Sequence, residues 1–298
     1  SKTIKKQIRT MTKRVLITGA NGQLGHEMRN VLNGDDRFEA IFTDVAELDI
    51  CDAEAVNRAV ADNRVDYIVN CAAYTQVDKA EDNVELCRKI NATAVENLAR
   101  AAAACGARMI HVSTDYVFNG RGYRPYTEDM TPDPQSVYGS TKLEGEQALM
   151  RLCPQSAIIR TAWLYSPYGN NFVKTMMRLG TERDELSVVA DQIGTPTCAA
   201  DLARAILAVL TAETFVPGIY HFSDEGACSW YDFTVAIHRL AGITCRVKPI
   251  RSDEYPSRAH RPFYSVLDKS KIKQTYGITI PHWYESLSHC IEILQETR

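Results

Sequence analysis

From Lys13 onward, short β-branched and apolar runs alternate with longer stretches patterned as helices. The runs Arg14–Thr18, Phe38–Asp44, Tyr67–Asn70, Met109–Ser113 and Ala157–Thr161 read as strands of a parallel sheet buried on both faces. Between them, Leu24–Leu32, Ala53–Asn63, Val84–Ala104 and Val137–Leu152 read as helices. Right-handed crossovers turn such βαβ units into a doubly wound α/β fold. After about Ser166 the rhythm weakens, with strands near Leu186–Val189 and Ile219–Phe222 and helices at Ala199–Leu210 and Trp230–Ala241. This predicts a first domain over 13–165 and a smaller α/β domain mainly over 166–298, with some later segments returning to the first. The rhythm is also broken at Asn119–Gln135, whose 17 residues include two glycines and three prolines. A connection that long reads as a loop over a site.

Charge and cysteine usage narrow the function classes. A net charge of −3, from 34 Lys+Arg and 37 Asp+Glu, offers no global positive field for nucleic acid or an anionic membrane, so a small ligand is the expected partner. The nine cysteines are scattered without a C-x-x-C pair or a short His/Cys spacing, which argues against a disulfide framework or a zinc knuckle. They read as small buried hydrophobes in a reducing, cytoplasmic compartment. No apolar run reaches the 18 or so residues of a membrane span. The opening Ser1–Arg14 is basic and lacks the apolar centre of a signal peptide. Residues 1–12 are therefore expected to be a flexible arm or a vector-derived remnant, with Met11 a candidate natural start.

The chemistry begins where the first strand meets the first helix, at Gly19-Ala20-Asn21-Gly22-Gln23-Leu24-Gly25. Glycines at this spacing permit a tight turn and let backbone amides approach a pyrophosphate. Nineteen residues after Gly25, Asp44 closes the second strand, where a carboxylate suits an adenosine ribose. Together these make the sheet Rossmann-type and domain 13–165 dinucleotide-binding, and the absence of G-K-[ST] argues against a P-loop. In the helix at Val137, Tyr138 and Lys142 share one face at i, i+4, an arrangement that lets an ammonium lower the pKa of a phenol serving as general acid. Thr114 ends the fourth strand 24 residues before Tyr138, at the carboxyl edge of the sheet where open α/β folds bind ligands. Its hydroxyl suits the same carbonyl.

Gly19, Gly22 and Gly25 with Tyr138 and Lys142 resemble the extended short-chain dehydrogenase/reductase superfamily. Within it, the segments Ser113–Phe118, Asn70–Glu81, Arg160–Tyr165 and Asp191–Thr197 are similar to the dTDP-4-dehydrorhamnose reductase family, over a span from about Arg14 to the C-terminus. The resemblance implies reduction of a 4-keto sugar nucleotide by NADPH or NADH, Tyr138 giving the proton, Lys142 holding the nicotinamide ribose and Thr114 bonding the carbonyl. It further implies Gly22, Gln23 and Leu24 at the pyrophosphate; Asp44, Asp49 and Ile50 by the adenosine; and Ala73, Tyr74, Thr75 and Val112 along the cofactor channel. Asp115, Tyr116 and Trp163 would meet the dTDP-sugar, with Asn171 and Arg261 at its diphosphate. Some family members dimerise through magnesium held by glutamates. Glu27 matches one such position, whereas Ala200 stands where a second acid is expected, so both monomer and homodimer remain open.

Two other functions share much of this pattern. A dehydratase or epimerase has the same fold and Tyr/Lys pair, but superfamily dehydratases usually follow the threonine with Asp-Glu, and here Tyr116 takes the glutamate's place. The β subunit of methionine adenosyltransferase resembles these reductases while serving as a non-catalytic partner. The intact set of Thr114, Tyr138, Lys142 and Trp163 favours an enzyme.

Overall fold

The structure, a computed structural model, describes residues 11–297. Of the arm expected over 1–12, residues 1–10 lie outside the described residues. The first five strands are β1 (Lys13–Thr18), β2 (Phe38–Phe42), β3 (Tyr67–Asn70), β4 (Arg108–Thr114) and β5 (Ala157–Thr161). Together with Gly218–His221 they form one six-stranded sheet, in the spatial order Gly218–His221, β5, β4, β3, β1, β2. Every neighbouring pair is parallel. The chain steps outward from β1 to β2 and then returns to β3 on the other side, which opens a crevice at the carboxyl ends of β1 and β3. β2 stops short of the expected Asp44, because Asp44 begins a turn in which its own carboxylate accepts the Val45 amide at 2.8 Å.

Alternate residues of a strand point to opposite faces, and β1 shows what each face buries. Val15 and Ile17 join the core formed with Leu24, Met28 and Leu32 of helix α1 (Gln23–Leu32) and Leu202, Ile206 and Leu210 of helix Ala199–Thr211. Leu16 points the other way, to Val56 and Val60 of helix α2 (Ala53–Asp62), Leu98 and Leu149. The helix expected over Val84–Ala104 is interrupted. Val84–Arg88 and Ala94–Cys105 are α-helical, and Lys89–Thr93 between them forms a π-turn.

The later chain adds elements the hydrophobic pattern did not show. Helices Phe172–Glu182 and Trp283–Glu296 pack with Trp230–Ala241 around a third core containing Val173, Phe233, Ile237 and Leu287. Glu185–Val189 pairs in parallel with Arg246–Ile250, a largely exposed strand whose Pro249 and charges hide it from a hydrophobicity reading. Among the described residues no helix is long and apolar enough to cross a membrane. All nine cysteines are free, but the reading of them as uniformly buried needs correction. Cys105 is exposed, and Cys51, Cys71 and Cys245 are partly so, because they sit at helix ends and loop edges.

Candidate active site

The turn from β1 into α1 is shaped by two close approaches. Gly19 adopts φ 62°, and a Cβ there would lie 2.6 Å from the Ala72 nitrogen beyond β3. At Gly25 a Cβ would meet the Ala20 backbone at 2.5 Å, so α1 leans directly on the turn. Gly22 differs. It is exposed, its nearest neighbour to such an atom is the Gly19 oxygen at 3.4 Å, and it caps α1 with no side-chain bond to the first amides. Those free amides and the open space in front of them fit a diphosphate. Asp44 is tied to the same turn, accepting the Asn21 amide at 3.0 Å. Asp49 is exposed and accepts the Cys51 amide at 2.9 Å, while Asn97 Nδ2 donates to the Ile50 carbonyl at 3.0 Å.

Beyond β3, Ala73, Tyr74 and Thr75 form the next wall, and a residue the sequence reading passed over holds it. Asn91 accepts the Tyr74 amide at 2.8 Å and donates to the Tyr74 carbonyl at 3.1 Å and to Thr141 Oγ1 at 3.2 Å. The π-turn aims it there, and a Cβ on Gly145 would lie 2.2 Å from its backbone oxygen. Cys71 lies between the two walls, its backbone beside Gly19 and its thiol near enough to Lys142 to feel the ammonium charge.

Tyr138 and Lys142 lie in the helix Val137–Leu152, whose start is capped by Ser136 Oγ accepting the Gly139 amide at 3.1 Å. The phenol of Tyr138 faces the Thr114 hydroxyl and stands edge-on to the Tyr116 ring at 5.4 Å. Thr114 Oγ1 donates to Asp115 Oδ1 at 3.1 Å and accepts the Tyr116 amide at 3.1 Å. Asp115 Oδ2 is buried without a hydrogen-bond partner, and burial raises this carboxyl to about 7. Lys142 Nζ donates to the Val112 carbonyl at 2.7 Å.

The expected lowering of the phenol pKa by Lys142 is not what the structure shows. Burial drives Tyr138 well above the ordinary tyrosine value, opposed by the Thr114 hydroxyl. The lysine is turned to the strand carbonyl and is itself lowered to about 8 by burial. The phenol therefore holds its proton firmly.

A second wall rises from the later chain. Trp163 adopts φ 48°, unusual for a bulky residue, and stacks on Trp230 with ring centroids 3.5 Å apart. On the Gly194 side, a Cβ would lie 2.7 Å from the Trp163 ring. Trp230 was not singled out from the sequence. Arg261 reaches the same cleft, Nη1 donating to the Tyr116 hydroxyl at 3.0 Å and Nη2 to Asp78 Oδ2 at 2.9 Å. The loop Asn119–Gln135 is pinned beside it, with Tyr126 stacked on Phe118 and its amide bonded to the Val266 carbonyl at 2.8 Å.

Two residues go elsewhere. Asn171 caps helix Phe172–Glu182 through the Lys174 amide and gives its Nδ2 to the Ser166 carbonyl at 2.8 Å and to Gln23 Oε1 at 3.2 Å. It thus stands at the glycine turn, not beside Tyr138. Glu27 is buried on α1 and raised by burial, with Arg204 and Asp201 acting on it across a cavity of about 400 Å³. Among the described residues no group of three or more His, Cys, Asp or Glu side chains is placed to hold a metal ion.

Residues 13–296 match the family model described as RmlD substrate binding domain. A dTDP-4-dehydrorhamnose reductase of Aggregatibacter actinomycetemcomitans is 42% identical over 286 residues, 93% of this chain and 97% of the relative. The crystal structure of a dTDP-4-dehydrorhamnose reductase from Clostridium acetobutylicum superposes with a TM-score of 0.92 at 48% identity, covering 95% of this chain and 99% of that one. A Bacillus anthracis dTDP-4-dehydrorhamnose reductase, solved in complex with NADP, gives a TM-score of 0.91 at 41% identity, covering 95% of this chain and all of that one, 100%. With such similarity over nearly the whole length, the chain belongs to the dTDP-4-dehydrorhamnose reductase family.

Proposed function

We propose that the protein reduces the C4 ketone of dTDP-4-dehydro-L-rhamnose to dTDP-L-rhamnose with NADPH or NADH, the last step of dTDP-rhamnose biosynthesis. The bound nicotinamide supplies a hydride to C4. Tyr138 gives its proton to O4, and its raised pKa keeps that proton in place until the oxygen gains negative charge. Thr114 orients the oxygen, and Lys142 holds the nicotinamide ribose. Gly19, Gly22 and Gly25 leave room for the amides of Gln23 and Leu24 to take the cofactor diphosphate. Asp44, Asp49 and Ile50 border the adenosine, and Ala73, Tyr74, Thr75 and Val112 line the channel between. The unpartnered Asp115 oxygen suits a sugar hydroxyl, Trp163 offers the sugar an apolar wall, and Arg261 suits a diphosphate.

The observation that carries this reading is the convergence of Thr114, Tyr138 and Lys142 on one edge of the sheet, with Cys71 between them and the glycine turn. It disfavours a dehydratase, because Tyr116 follows Asp115 and spends its hydroxyl on Arg261. On this reading residues 13–165 are chiefly the dinucleotide-binding domain and 166–298 chiefly the substrate domain. The protein acts in the cytoplasm, as a monomer or homodimer. Mixing it with NADPH and dTDP-4-dehydro-L-rhamnose should consume the reduced-cofactor absorbance and yield dTDP-L-rhamnose. No turnover, or equal turnover of unrelated 4-keto sugars, overturns the assignment.

A further inference from the structure

One turn beyond Lys142 on the same helix, Glu146 is buried at 2% exposure. Arg160 of β5 forks onto it, Nη2 donating to Oε1 at 2.7 Å and Nε to Oε2 at 3.0 Å. From β4, Ser113 Oγ donates to Oε2 at 2.5 Å. Ser113 lies opposite Arg160 in the strand register, and the next pair is Thr114 opposite Thr161. Glu146 therefore binds the helix to both strands one residue below the Thr114 hydroxyl. The remaining Arg160 nitrogen, Nη1, is 3.3 Å from His221 Nε2, while His221 Nδ1 is 2.8 Å from the Tyr126 carbonyl. A carbonyl only accepts, so Nδ1 carries the proton and Nε2 accepts from Arg160.

At its His221 end the cluster meets a further carboxylate, Glu128 Oε1 at 3.8 Å from Nδ1, so the excess of positive charge is confined to the inner end around Lys142. Arg160 and Lys142 are two cations in the interior, and Glu146 is one anion. The other titratable groups acting on or facing Lys142 are Cys87 from helix Val84–Arg88, Cys71 beyond β3 and His111 of β4. Burial pushes both thiols up and His111 down, so all three are neutral near pH 7. Glu146 is the one negative group among them.

We propose that Glu146, clamped by Arg160 and Ser113, is a positioning residue: it fixes the Tyr138/Lys142 helix against the strand end carrying Thr114 and supplies the counter-charge that keeps Lys142 an ammonium. This deepens the reductase reading and rests on it for the cofactor, not for the substrate. Lys142 is lowered to about 8 by burial, with Glu146 the leading opposing influence. Glu146→Gln keeps the shape and one acceptor oxygen, removes the charge, and turns the other oxygen into an N–H donor facing Arg160 or Ser113.

The test is NADPH binding, followed by nicotinamide fluorescence from about pH 6 to about pH 10. In the wild type, affinity should weaken as pH rises through about 8, where Lys142 loses its proton. In Glu146→Gln that transition should fall by about one pH unit or more, weakening binding up to about tenfold near pH 8 and much less near pH 6. Glu146→Asp should restore part of the shift. If Glu146→Gln does not fold, Glu146→Gln/Arg160→Gln removes one charge of each sign, and its transition should still lie below that of the wild type. A folded variant with its transition at the wild-type pH, or a wild type with flat affinity over this range, overturns the proposal. Because NADPH binding needs no sugar, a wild type that shows the transition but does not turn over dTDP-4-dehydro-L-rhamnose supports this inference while overturning the substrate assignment.

Discussion

The two walls of the cleft are built on different principles. Around Tyr138 the groups sit on a helix and on strand ends, with Lys142 and Glu146 each at 2% exposure and their charged atoms bonded internally, while Asp115 Oδ2 stays without an internal partner. Around Trp163 they sit on loops, short strands and, for Trp230, the first residue of helix Trp230–Ala241. Trp163 and Trp230 are half-buried and held by stacking, and Arg261 is 30% exposed and bonded to an even more open Asp78. Proton transfer needs hydrogen-bond distances reproduced at every turnover, and a closed buried network supplies that constancy. A wall that admits and releases a ligand needs side chains whose bonds can be exchanged. On the proposed reading the sheet carries the fixed chemistry and the later chain the replaceable contacts.

The sharpest way to break this contrast is Tyr138→Phe. It removes one hydroxyl and leaves the ring, so turnover should fall by about 10²–10⁴ while NADPH still binds. Steady-state rates with a parallel binding titration check it, and near-normal turnover removes Tyr138 from the acid role. The next effect concerns the acid limit of the fixed wall. His221 is pushed down to about 3, first by burial and then by Arg160. The unfolded chain titrates this histidine near 6.5, so it takes up the proton first, and stability contributed above about 6.5 is lost as pH falls toward about 3. His221→Gln removes the titration and should flatten that decline. Urea midpoints near neutrality and near pH 4.5 (roughly mid-window) measure it; parallel declines in the two proteins would refute it.

What was readable in the sequence divides along the same line. The glycine turn, the Tyr138/Lys142 spacing and the five strands are local patterns, written within a few residues of one another. Glu146 was not, because in Lys142-Leu143-Glu144-Gly145-Glu146 a glutamate looks like an exposed helix face. Its partners lie 14 and 33 residues away. Asn91 and Trp230 were hidden for the same reason, since Asn91 is explained by Tyr74 17 residues off and Trp230 by a stack with Trp163. The phenol expectation failed because i, i+4 spacing fixes which side chains are neighbours, whereas the direction of Lys142 is fixed by the Val112 carbonyl of another element.

A smaller change should follow from Trp230→Ala. Trp163 would keep its place beside Gly194 but lose the ring that holds it at φ 48°. An aromatic pair contributes about 0.5–1.5 kcal/mol beyond its buried area, so KM for the sugar nucleotide should rise by about twofold to about thirteenfold. The NADPH dissociation constant and kcat should change little, and Trp230→Phe should recover most of the loss. Equal effects on cofactor binding and on KM would mean that Trp230 supports the whole cleft and not its second wall.

Asp78→Asn should give the smallest effect and the most direct test of exchangeability. Asp78 accepts from Arg261 at 2.9 Å, from the Ala259 amide at 3.0 Å and from Ser257 Oγ at 2.9 Å, so it fastens the segment leading to Arg261 as well as its guanidinium. Asparagine keeps an acceptor for the Ala259 amide and removes the charge that competes with a diphosphate for Arg261. A partly exposed ion pair contributes about 0.2–1 kcal/mol, so freeing the guanidinium should lower KM by no more than about fivefold, with kcat unchanged. The gain should vanish in Arg261→Gln/Asp78→Asn, because no guanidinium is left to release. A rise in KM for Asp78→Asn would mean instead that the carboxylate aims Arg261 into the cleft, and the second wall would then be as fixed as the first.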